Sequence, residues 1–275
     1  MTYRQRLAAL CEARGRLCVG IDPHPPQVSQ WGLDVDVRGV ERFSRDLVAA
    51  LADQVAVFKP QSAFFEVWGA AGIEALSRVL ADIRDAGALA LLDVKRGDIG
   101  STMAAYAQAY LAQGAPLSAD AITVSPYLGF GALGPALDLA EQNGRGIYVL
   151  CRTSNPEGAE IQFATSEGHT VAQSIVTSAQ DRNHSSGQDA VGLVVGATHD
   201  NLGVDLTGFT GSVLAPGIGA QGGRMDAIPE LFGAASAQVL PSVSRDVASA
   251  GPDPQSLRER VTALLAAAPT DSAQS

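Results

Sequence analysis

Short and almost continuously apolar runs recur along the chain, and longer segments with helical spacing separate them. Eight runs are four to eight residues long, rich in β-branched residues and bounded by Gly, Pro or Asp, which is the pattern of buried strands. Runs without polar alternation suit parallel strands covered on both faces. The predicted strands are 17–22, 54–59, 88–95, 121–125, 146–151, 190–196, 212–215 and 238–241.

Amphipathic segments predict helices between these strands. Their spans are 37–53, 72–86, 101–113, 132–143, 170–182, 225–232 and 255–267, with the least regular one at 199–206. Strands alternating with helices over 275 residues predict one α/β domain, a (β/α)8 TIM barrel spanning residues 1–275. A doubly wound open sheet is the alternative, and it is disfavoured because no GxGxxG follows the first strand. We expect a surface loop at 178–188 and a frayed tail over about 266–275.

Composition narrows the functional class. An apolar fraction of 46% suits a packed core, and no stretch approaches the ~18 apolar residues of a membrane span. The charged N-terminus does not resemble a secretory signal, and three cysteines without a CxxC favour a reducing cytoplasm. A net charge of −10 disfavours nucleic acid and anionic membranes as partners. The four histidines lack metal-ligand spacing, so we expect no metal site.

Lysine is rare in this chain, and its two positions stand out. Of 19 basic residues only Lys59 and Lys95 are lysines, and each ends a strongly apolar run. A coding bias toward arginine would leave a few lysines by chance, but burying an ammonium group is costly without a partner. The two positions therefore predict a chemical role.

Carboxylates also lie at or just after the ends of predicted strands. Asp22 ends the first predicted strand, while Asp93 lies two residues before Lys95 and Asp98 three residues after it. Residues two apart on a strand share a face, and functional groups in a barrel gather at the C-terminal ends of strands. An ordinary salt bridge is the alternative for one pair, but several ionisable groups in one apolar mouth indicate an active site.

Glycines and one arginine follow the last two strands. Gly217, Gly219, Gly222 and Gly223 lie after the seventh strand, and Arg245 follows the eighth. We expect backbone N–H groups of this loop, the N-terminus of the helix near residue 225 and Arg245 to bind a phosphate. A plain glycine-rich turn with a surface arginine is the alternative.

A long polar loop, 151–162, follows the fifth strand. Such a loop can close over a site as a lid, and Ser154 can hydrogen-bond a polar ring edge. Taken alone, this segment also fits an ordinary loop.

The motifs together resemble the orotidine 5′-phosphate decarboxylase family. Residues 91–107, LLDVKRGDIGSTMAAYA, carry its D-x-K-x-x-D-I-x-x-T pattern, and the resemblance extends from residue 17 to about 247 through CVGIDPHP, FKPQSAFFE, APGIGAQGG and SVSRD. The versions FKPQSAFFE, DVKRGD and TVSPYLG look most like the longer bacterial subgroup that includes actinobacterial enzymes.

The resemblance implies roles for the charged residues. It implies that Asp22 and Lys59 contact the ribose hydroxyls, that Asp93 lies beside the substrate carboxylate, and that Lys95 donates the proton. It also implies an obligate homodimer with a site at each interface. Asp98, implied as a catalytic residue, and Thr102 are offered to the neighbouring subunit's site. The other implied substrate contacts are Ser154 at the pyrimidine edge, and Gln221 and Arg245 at the phosphate, with Gly219 and Gly222 nearby.

The implied reaction converts orotidine 5′-monophosphate to UMP and CO2 without a cofactor. The departing CO2 leaves an electron pair on a ring carbon that lacks an electron sink, and a fixed ammonium can stabilise it. A Mg²⁺-dependent sugar-phosphate lyase of the same superfamily is one alternative. Such enzymes resemble this chain in the D-x-K-x-x-D pattern but usually have an acidic residue at the position of Lys59, so Lys59 disfavours this alternative. A non-catalytic nucleotide-binding barrel is the other.

Overall fold

Eight parallel strands close into a barrel in the computed structural model, which describes residues 1–268. Around the ring each barrel strand pairs with the next in sequence, and the last pairs back with the first, so the predicted barrel is confirmed over an open sheet. The barrel strands are β1 Cys18–Ile21, β2 Val57–Pro60, β3 Leu89–Arg96, β4 Ala121–Val124, β5 Gly146–Arg152, β8 Val191–Val195, β9 Val213–Pro216 and β10 Val239–Val243; a separate antiparallel pair is β6 Thr165–Ser166 and β7 His169–Thr170.

Helices connect the strands and cover the outside of the barrel. Six predicted helices are found within a few residues of their expected bounds, as α3, α5, α6, α7, α9 and α12 of the following set. The α-helices are α1 Tyr3–Arg14, α2 Pro25–Gln30, α3 Val37–Leu51, α4 Ala63–Glu66, α5 Gly69–Asp85, α6 Gly100–Leu111, α7 Gly134–Gln142, α8 Ala159–Gln162, α9 Val171–Ser186, α10 Ile228–Phe232, α11 Arg245–Ala248 and α12 Pro254–Ala266, and the short 3-10 helices are Phe130–Leu133, Pro156–Gly158 and Gly233–Gln238.

Helix α3 illustrates why these segments fold as they do. The Asp36 carboxylate caps its first turn by accepting the Gly39 N–H at 2.8 Å. Val40, Phe43 and Leu47 recur at helical spacing and are all buried in the layer between helices and strands. The polar face remains outside, so one helix both covers the sheet and contacts solvent.

The N-terminal helix α1, which the sequence pattern did not reveal, closes the N-terminal end of the barrel. Tyr3 and Leu7 are each 2% exposed and join the cluster inside the barrel. The Tyr3 hydroxyl lies 3.0 Å from that of Tyr148 on β5. This apolar plug leaves the opposite end, where the strands finish, for polar groups.

Inward-facing residues form layers along the barrel axis. Val57, Leu91 and Ala121 belong to the inner apolar cluster. The inward positions two residues further along β2, β3 and β4 face the same side. They are Lys59, Asp93 and Thr123, so polar residues replace apolar ones in the layer at the C-terminal mouth.

The helix predicted at 199–206 is wrong. Residues 196–212 between β8 and β9 form turns and bends without a helix. Gly203 and Gly208 both adopt positive φ angles, 68° and 75°, which interrupt a helical path.

The surface loop predicted at 178–188 is also wrong over most of its length, because α9 continues to Ser186. The Asn183 side chain is 1% exposed and bonds both the N–H and the C=O of Val191. Gly187 then ends the helix in the left-handed conformation. Tertiary contacts thus outweigh the low helix propensity of the Asn, His and Ser residues.

The structure describes only part of the tail predicted at 266–275. Of the tail predicted at 266–275, Ala266 is the last residue of α12, and residues 269–275 lie outside the described residues.

Cys18 and Cys151 are buried, and burial raises the pKa of each thiol to about 12, so both pack as protonated apolar groups. Within residues 1–268 no helix is long and apolar enough to cross a membrane.

Candidate active site

The carboxylate of Asp93 is the centre of a charged cluster at the barrel mouth. Its Oδ1 accepts hydrogen bonds from Lys95 Nζ at 2.6 Å and Thr123 Oγ1 at 2.7 Å. Its Oδ2 accepts from Gln61 Nε2 at 2.9 Å and Lys59 Nζ at 3.3 Å. Both predicted lysines therefore bind opposite oxygens of one carboxylate.

The two lysines differ in exposure. The Lys59 side chain is 8% exposed, whereas that of Lys95 is 47% exposed in the single chain and lines the cavity at the mouth. Lys59 is fixed in the barrel wall, while the ammonium of Lys95 is available to a ligand.

Opposite charges keep the buried groups ionised. Burial alone would lower the pKa of the Lys59 ammonium, but Asp22 and Asp93 outweigh it and raise the pKa above its ordinary value. Burial alone would raise the pKa of Asp93, but Lys59 and Lys95 hold that pKa well below its usual range. Lys59 and Asp93 are thus ionised at neutral pH before any ligand binds.

The backbone of β3 is distorted where the cluster forms. Lys95 adopts a φ of 45°, in the left-handed region that a residue with a Cβ seldom occupies. The ladder between β3 and β4 shifts register between Leu92 and Arg96. Such strain concentrates at functional sites, and here it directs the Lys95 side chain.

Asp22 extends the cluster toward β1. Its Oδ1 lies 4.0 Å from Lys59 Nζ and is buried without a hydrogen bond from any group in residues 1–268. A buried carboxylate oxygen without a donor is costly, so this atom suits a hydroxyl of a bound ligand.

A cavity of about 810 Å³ opens above the cluster. Lys59, Asp93 and Lys95 line it, together with Ser154 on the loop after β5. The Ser154 hydroxyl donates to Gln221 Oε1 at 3.4 Å, which links this loop to the glycine-rich loop after β9. Two predicted contacts from distant parts of the sequence therefore lie side by side.

Arg152 anchors the loop that carries Ser154. Its buried guanidinium donates to the Thr153 carbonyl and to Gln162 Oε1, both at 3.1 Å, and stacks on the Phe163 ring at 4.5 Å. The loop thus folds around a fixed cation at the end of β5.

The glycine-rich loop after β9 closes on itself. The N–H groups of Gly219, Gly222 and Gly223 donate to carbonyls within the loop at 2.8 to 2.9 Å. These three amides are therefore engaged within the loop, and their predicted phosphate contact stays a prediction. The helix expected from residue 225 begins at Ile228 and has five residues, so the predicted start is three residues too early.

Arg245 begins α11 directly after β10. Its side chain is exposed and forms no hydrogen bond or ion pair with another residue in the described part of the chain. The neighbouring Asp246 is bound by Arg260, at 2.5 and 2.9 Å, and packs against Gly219. Arg245 therefore offers an unpaired cation beside the glycine-rich loop.

Asp98 and Thr102 lie apart from the cluster within one chain. Asp98 Oδ1 accepts the Ile99 N–H at 2.8 Å, and Thr102 is exposed on the first turn of α6. Within the single chain the charged cluster thus forms from Lys59, Asp93 and Lys95 without Asp98.

The donor set does not suit a divalent cation. Both oxygens of Asp93 accept hydrogen bonds, two of them from ammonium groups that repel a metal ion. Residues 1–268 contain no group of three or more His, Cys, Asp or Glu side chains arranged to hold a metal.

Sequence reasoning missed Gln61 and Thr123, although both bond Asp93 directly. Each carried a signal that strand alternation reveals. Gln61 lies two residues after Lys59, and Thr123 is the one hydroxyl in the apolar run AITV. In both cases the signal was a polar residue at an inward-facing position next to the charged barrel mouth.

Fold and site together define a (β/α)8-barrel enzyme whose charged cluster lies at the C-terminal ends of its strands. The family model of the orotidine 5′-phosphate decarboxylase / HUMPS family matches residues 15–260. The chain belongs to that family.

Relatives agree with this placement. The orotidine 5′-phosphate decarboxylase of Salinispora tropica is 51% identical over 96% of this chain and 96% of its own, and that of Streptomyces coelicolor is 51% identical over 93% of each. The crystal structure of a candidate orotidine 5′-phosphate decarboxylase from Streptomyces avermitilis has a TM-score of 0.88 at 48% identity, covering 97% of this chain and 96% of that one. The predicted resemblance to the actinobacterial subgroup is confirmed.

Proposed function

We propose that the chain is an orotidine 5′-phosphate decarboxylase that forms UMP and CO2 without a metal or organic cofactor. The observation that carries this proposal is the Asp93 carboxylate held between Lys59 and Lys95, with Lys95 facing the open cavity. An ammonium fixed at that point is the group that decarboxylation of this substrate requires.

The chemical step is a heterolytic cleavage. The bond between C6 and the carboxyl carbon breaks, CO2 leaves, and the electron pair remains on C6 of the pyrimidine. The Lys95 ammonium stabilises this pair and then gives a proton to C6, which completes UMP, and the neutral amine regains its proton from solvent. Positioned proton transfer contributes about 10²–10⁴-fold to such a rate.

Asp93 supplies rigidity to this step. It fixes the direction of the Lys95 side chain and lies where the substrate carboxylate would approach. A preorganised charge needs little rearrangement during the reaction, and that is why it is more effective than water.

The rest of the nucleotide would bind around the rim. We assign the ribose hydroxyls to Asp22 and Lys59, since Asp22 has an oxygen without a donor. We assign the pyrimidine edge to Ser154, and the phosphate to Arg245 and Gln221 with Gly219 and Gly222 beside them, because Gln221 and Ser154 are already in contact. Phosphate binding energy can then be used to close the loop over the site.

The proposed enzyme is a homodimer in which Asp98 and Thr102 complete the partner's site. Lys95 is half exposed in the single chain, and Ile99, Tyr127 and Leu128 expose 62%, 77% and 53% of their surfaces near the mouth. Apolar residues at these positions favour a covering protein surface. The proposed cellular location of the enzyme is the cytoplasm.

The direct test of the activity is a UV assay with orotidine 5′-monophosphate in buffer containing EDTA. We expect the substrate absorbance to disappear and UMP to form at the same rate with and without the chelator. Activity that EDTA abolishes and Mg²⁺ restores would favour the lyase alternative. Heat stabilisation by UMP without turnover would favour a non-catalytic nucleotide-binding barrel.

Replacing Arg245 with alanine should raise KM by about 10- to 100-fold and change kcat less, because charge-assisted hydrogen bonds contribute about 1.5–3 kcal/mol. Steady-state kinetics measure this change. Arg84→Ala, which removes an exposed arginine at the end of α5, is the control and should match the parent protein. An unchanged KM in Arg245→Ala places the phosphate elsewhere.

A further inference from the structure

Thr123 occupies the inward position of β4 in the polar layer at the barrel mouth. It is 1% exposed and lies in a strand whose other residues, Ala121, Ile122 and Val124, are apolar. A hydroxyl at such a depth needs hydrogen-bond partners, and the partners it has are all on β3.

The hydroxyl of Thr123 uses its full hydrogen-bonding capacity. It donates to Asp93 Oδ1 at 2.7 Å and accepts the N–H groups of Val94 and Lys95, both at 3.0 Å. One hydrogen and two lone pairs are all that a threonine hydroxyl offers. One side-chain atom therefore binds the carboxylate and the backbone on both sides of residue 94.

These bonds repair the break in the ladder between β3 and β4. Leu92 pairs with Ile122, and the next pairing joins Arg96 to Val124, so β3 carries extra residues between the two pairings. In a regular parallel ladder the neighbouring strand would supply carbonyl acceptors along this stretch. Here the Thr123 hydroxyl accepts two N–H groups of the bulged segment.

The same segment contains the left-handed Lys95. A non-glycine residue at φ 45° is strained and persists only where its surroundings fix it. The bond from the Lys95 N–H to Thr123 is part of that constraint. The Lys95 ammonium in turn reaches the Asp93 oxygen that Thr123 also binds.

We propose that Thr123 is a positioning residue that holds the β3 bulge and thereby aims the Lys95 ammonium at the reacting carbon. This inference rests on the proposed decarboxylase activity, because the aim of Lys95 matters only if Lys95 acts on a substrate. Thr123 itself does not touch the substrate. It acts through Asp93 and the Lys95 backbone.

A purely structural hydroxyl would behave differently. Its loss would lower the melting temperature and leave kcat unchanged in the folded protein. A positioning hydroxyl changes kcat while the nucleotide still binds, because the proposed ribose and phosphate contacts come from the ends of β1 and β2 and from the loops after β9 and β10.

Two matched pairs of residues at position 123 separate these roles. Threonine and valine have nearly the same shape, and serine and alanine differ by the same hydroxyl, so each pair isolates the oxygen. We expect Thr123→Val and Thr123→Ala to lower kcat by about a hundredfold, since a displacement of about 1 Å can cost that much. Thr123→Ser should stay within a few-fold of the parent, and the Kd for UMP should change little in all three variants.

Ser44→Ala is the control for loss of a buried hydroxyl. Ser44 is fully buried on α3 and donates to the Val40 carbonyl at 2.7 Å, away from the mouth. It should lower stability and leave kcat unchanged. If Thr123→Val does not fold, the comparison of Thr123→Ser with Thr123→Ala isolates the hydroxyl in a smaller side chain.

The outcomes separate this inference from the proposed activity. A parent-like kcat in Thr123→Val or Thr123→Ala, or an equal loss in Thr123→Ser and Thr123→Ala, overturns the positioning role while the parent enzyme remains a decarboxylase. A parent protein without turnover in the same assay overturns the proposed function instead.

Discussion

We expect Lys95→Ala to abolish decarboxylation, with kcat reduced by at least about 10⁴-fold, and to leave UMP binding intact. The expected loss combines proton delivery, about 10²–10⁴-fold, with the removal of a fixed charge beside C6, about 10²–10³-fold. Binding survives because the ribose and phosphate contacts are assigned to other residues. Product formation in the UV assay and a thermal shift with UMP measure the two properties separately.

The fold should tolerate this substitution. The Lys95 side chain is half exposed, and Asp93 keeps its bonds to Lys59, Gln61 and Thr123 after Lys95 is removed. Alanine is a suitable replacement because it keeps a Cβ at the strained position. A shifted melting temperature together with lost UMP binding would indicate general damage rather than a missing catalytic group.

Lys95→Arg distinguishes the charge from the proton. A guanidinium keeps the positive charge but cannot release a proton near neutral pH. We expect this variant to remain far below the parent in turnover, because C6 lacks its donor. Near-parent rates in either variant contradict the role given to Lys95.

Mixing two inactive variants should restore activity if the site is shared between subunits. Asp98→Ala is expected to be inactive because the partner's site loses a carboxylate, and Lys95→Ala is inactive because its own site loses the ammonium. In a mixed dimer one site carries both substitutions and the other carries neither. Random exchange therefore restores about one quarter of the parent's sites in a symmetric dimer.

The measurement is turnover after the two proteins are unfolded and refolded together, or incubated until subunits exchange. Differently tagged subunits, captured as mixed dimers, verify the exchange. Each variant refolded alone is the control and should stay inactive. No recovery in verified mixed dimers would show that Asp98 does not act across an interface.

The barrel and its charged mouth were predictable from the sequence because charged residues mark the ends of the apolar strands. Lys59, Asp93 and Lys95 close apolar runs, and parallel strands bring such ends together. No local pattern predicts that both lysines bind the same carboxylate. That arrangement depends on the register shift in β3, which is a property of two neighbouring strands.

The errors have a common physical cause, since long-range contacts decided what local preference could not. Asn183 and Gly187 extend and end α9 through contacts with β8 and a left-handed cap. The hydrogen bonds of Thr123 likewise depend on the packing of β4 beside the bulge of β3.

A crystal structure of the protein with bound UMP tests the central claim most directly. The account predicts that the Lys95 Nζ lies nearest to C6 of the pyrimidine, about 3 Å away, while Asp93 stays bound to it and Lys59 approaches the ribose. Asp98 should enter the same site from the second subunit. UMP seated with C6 beyond reach of Lys95, or with the phosphate far from Arg245, would contradict the account.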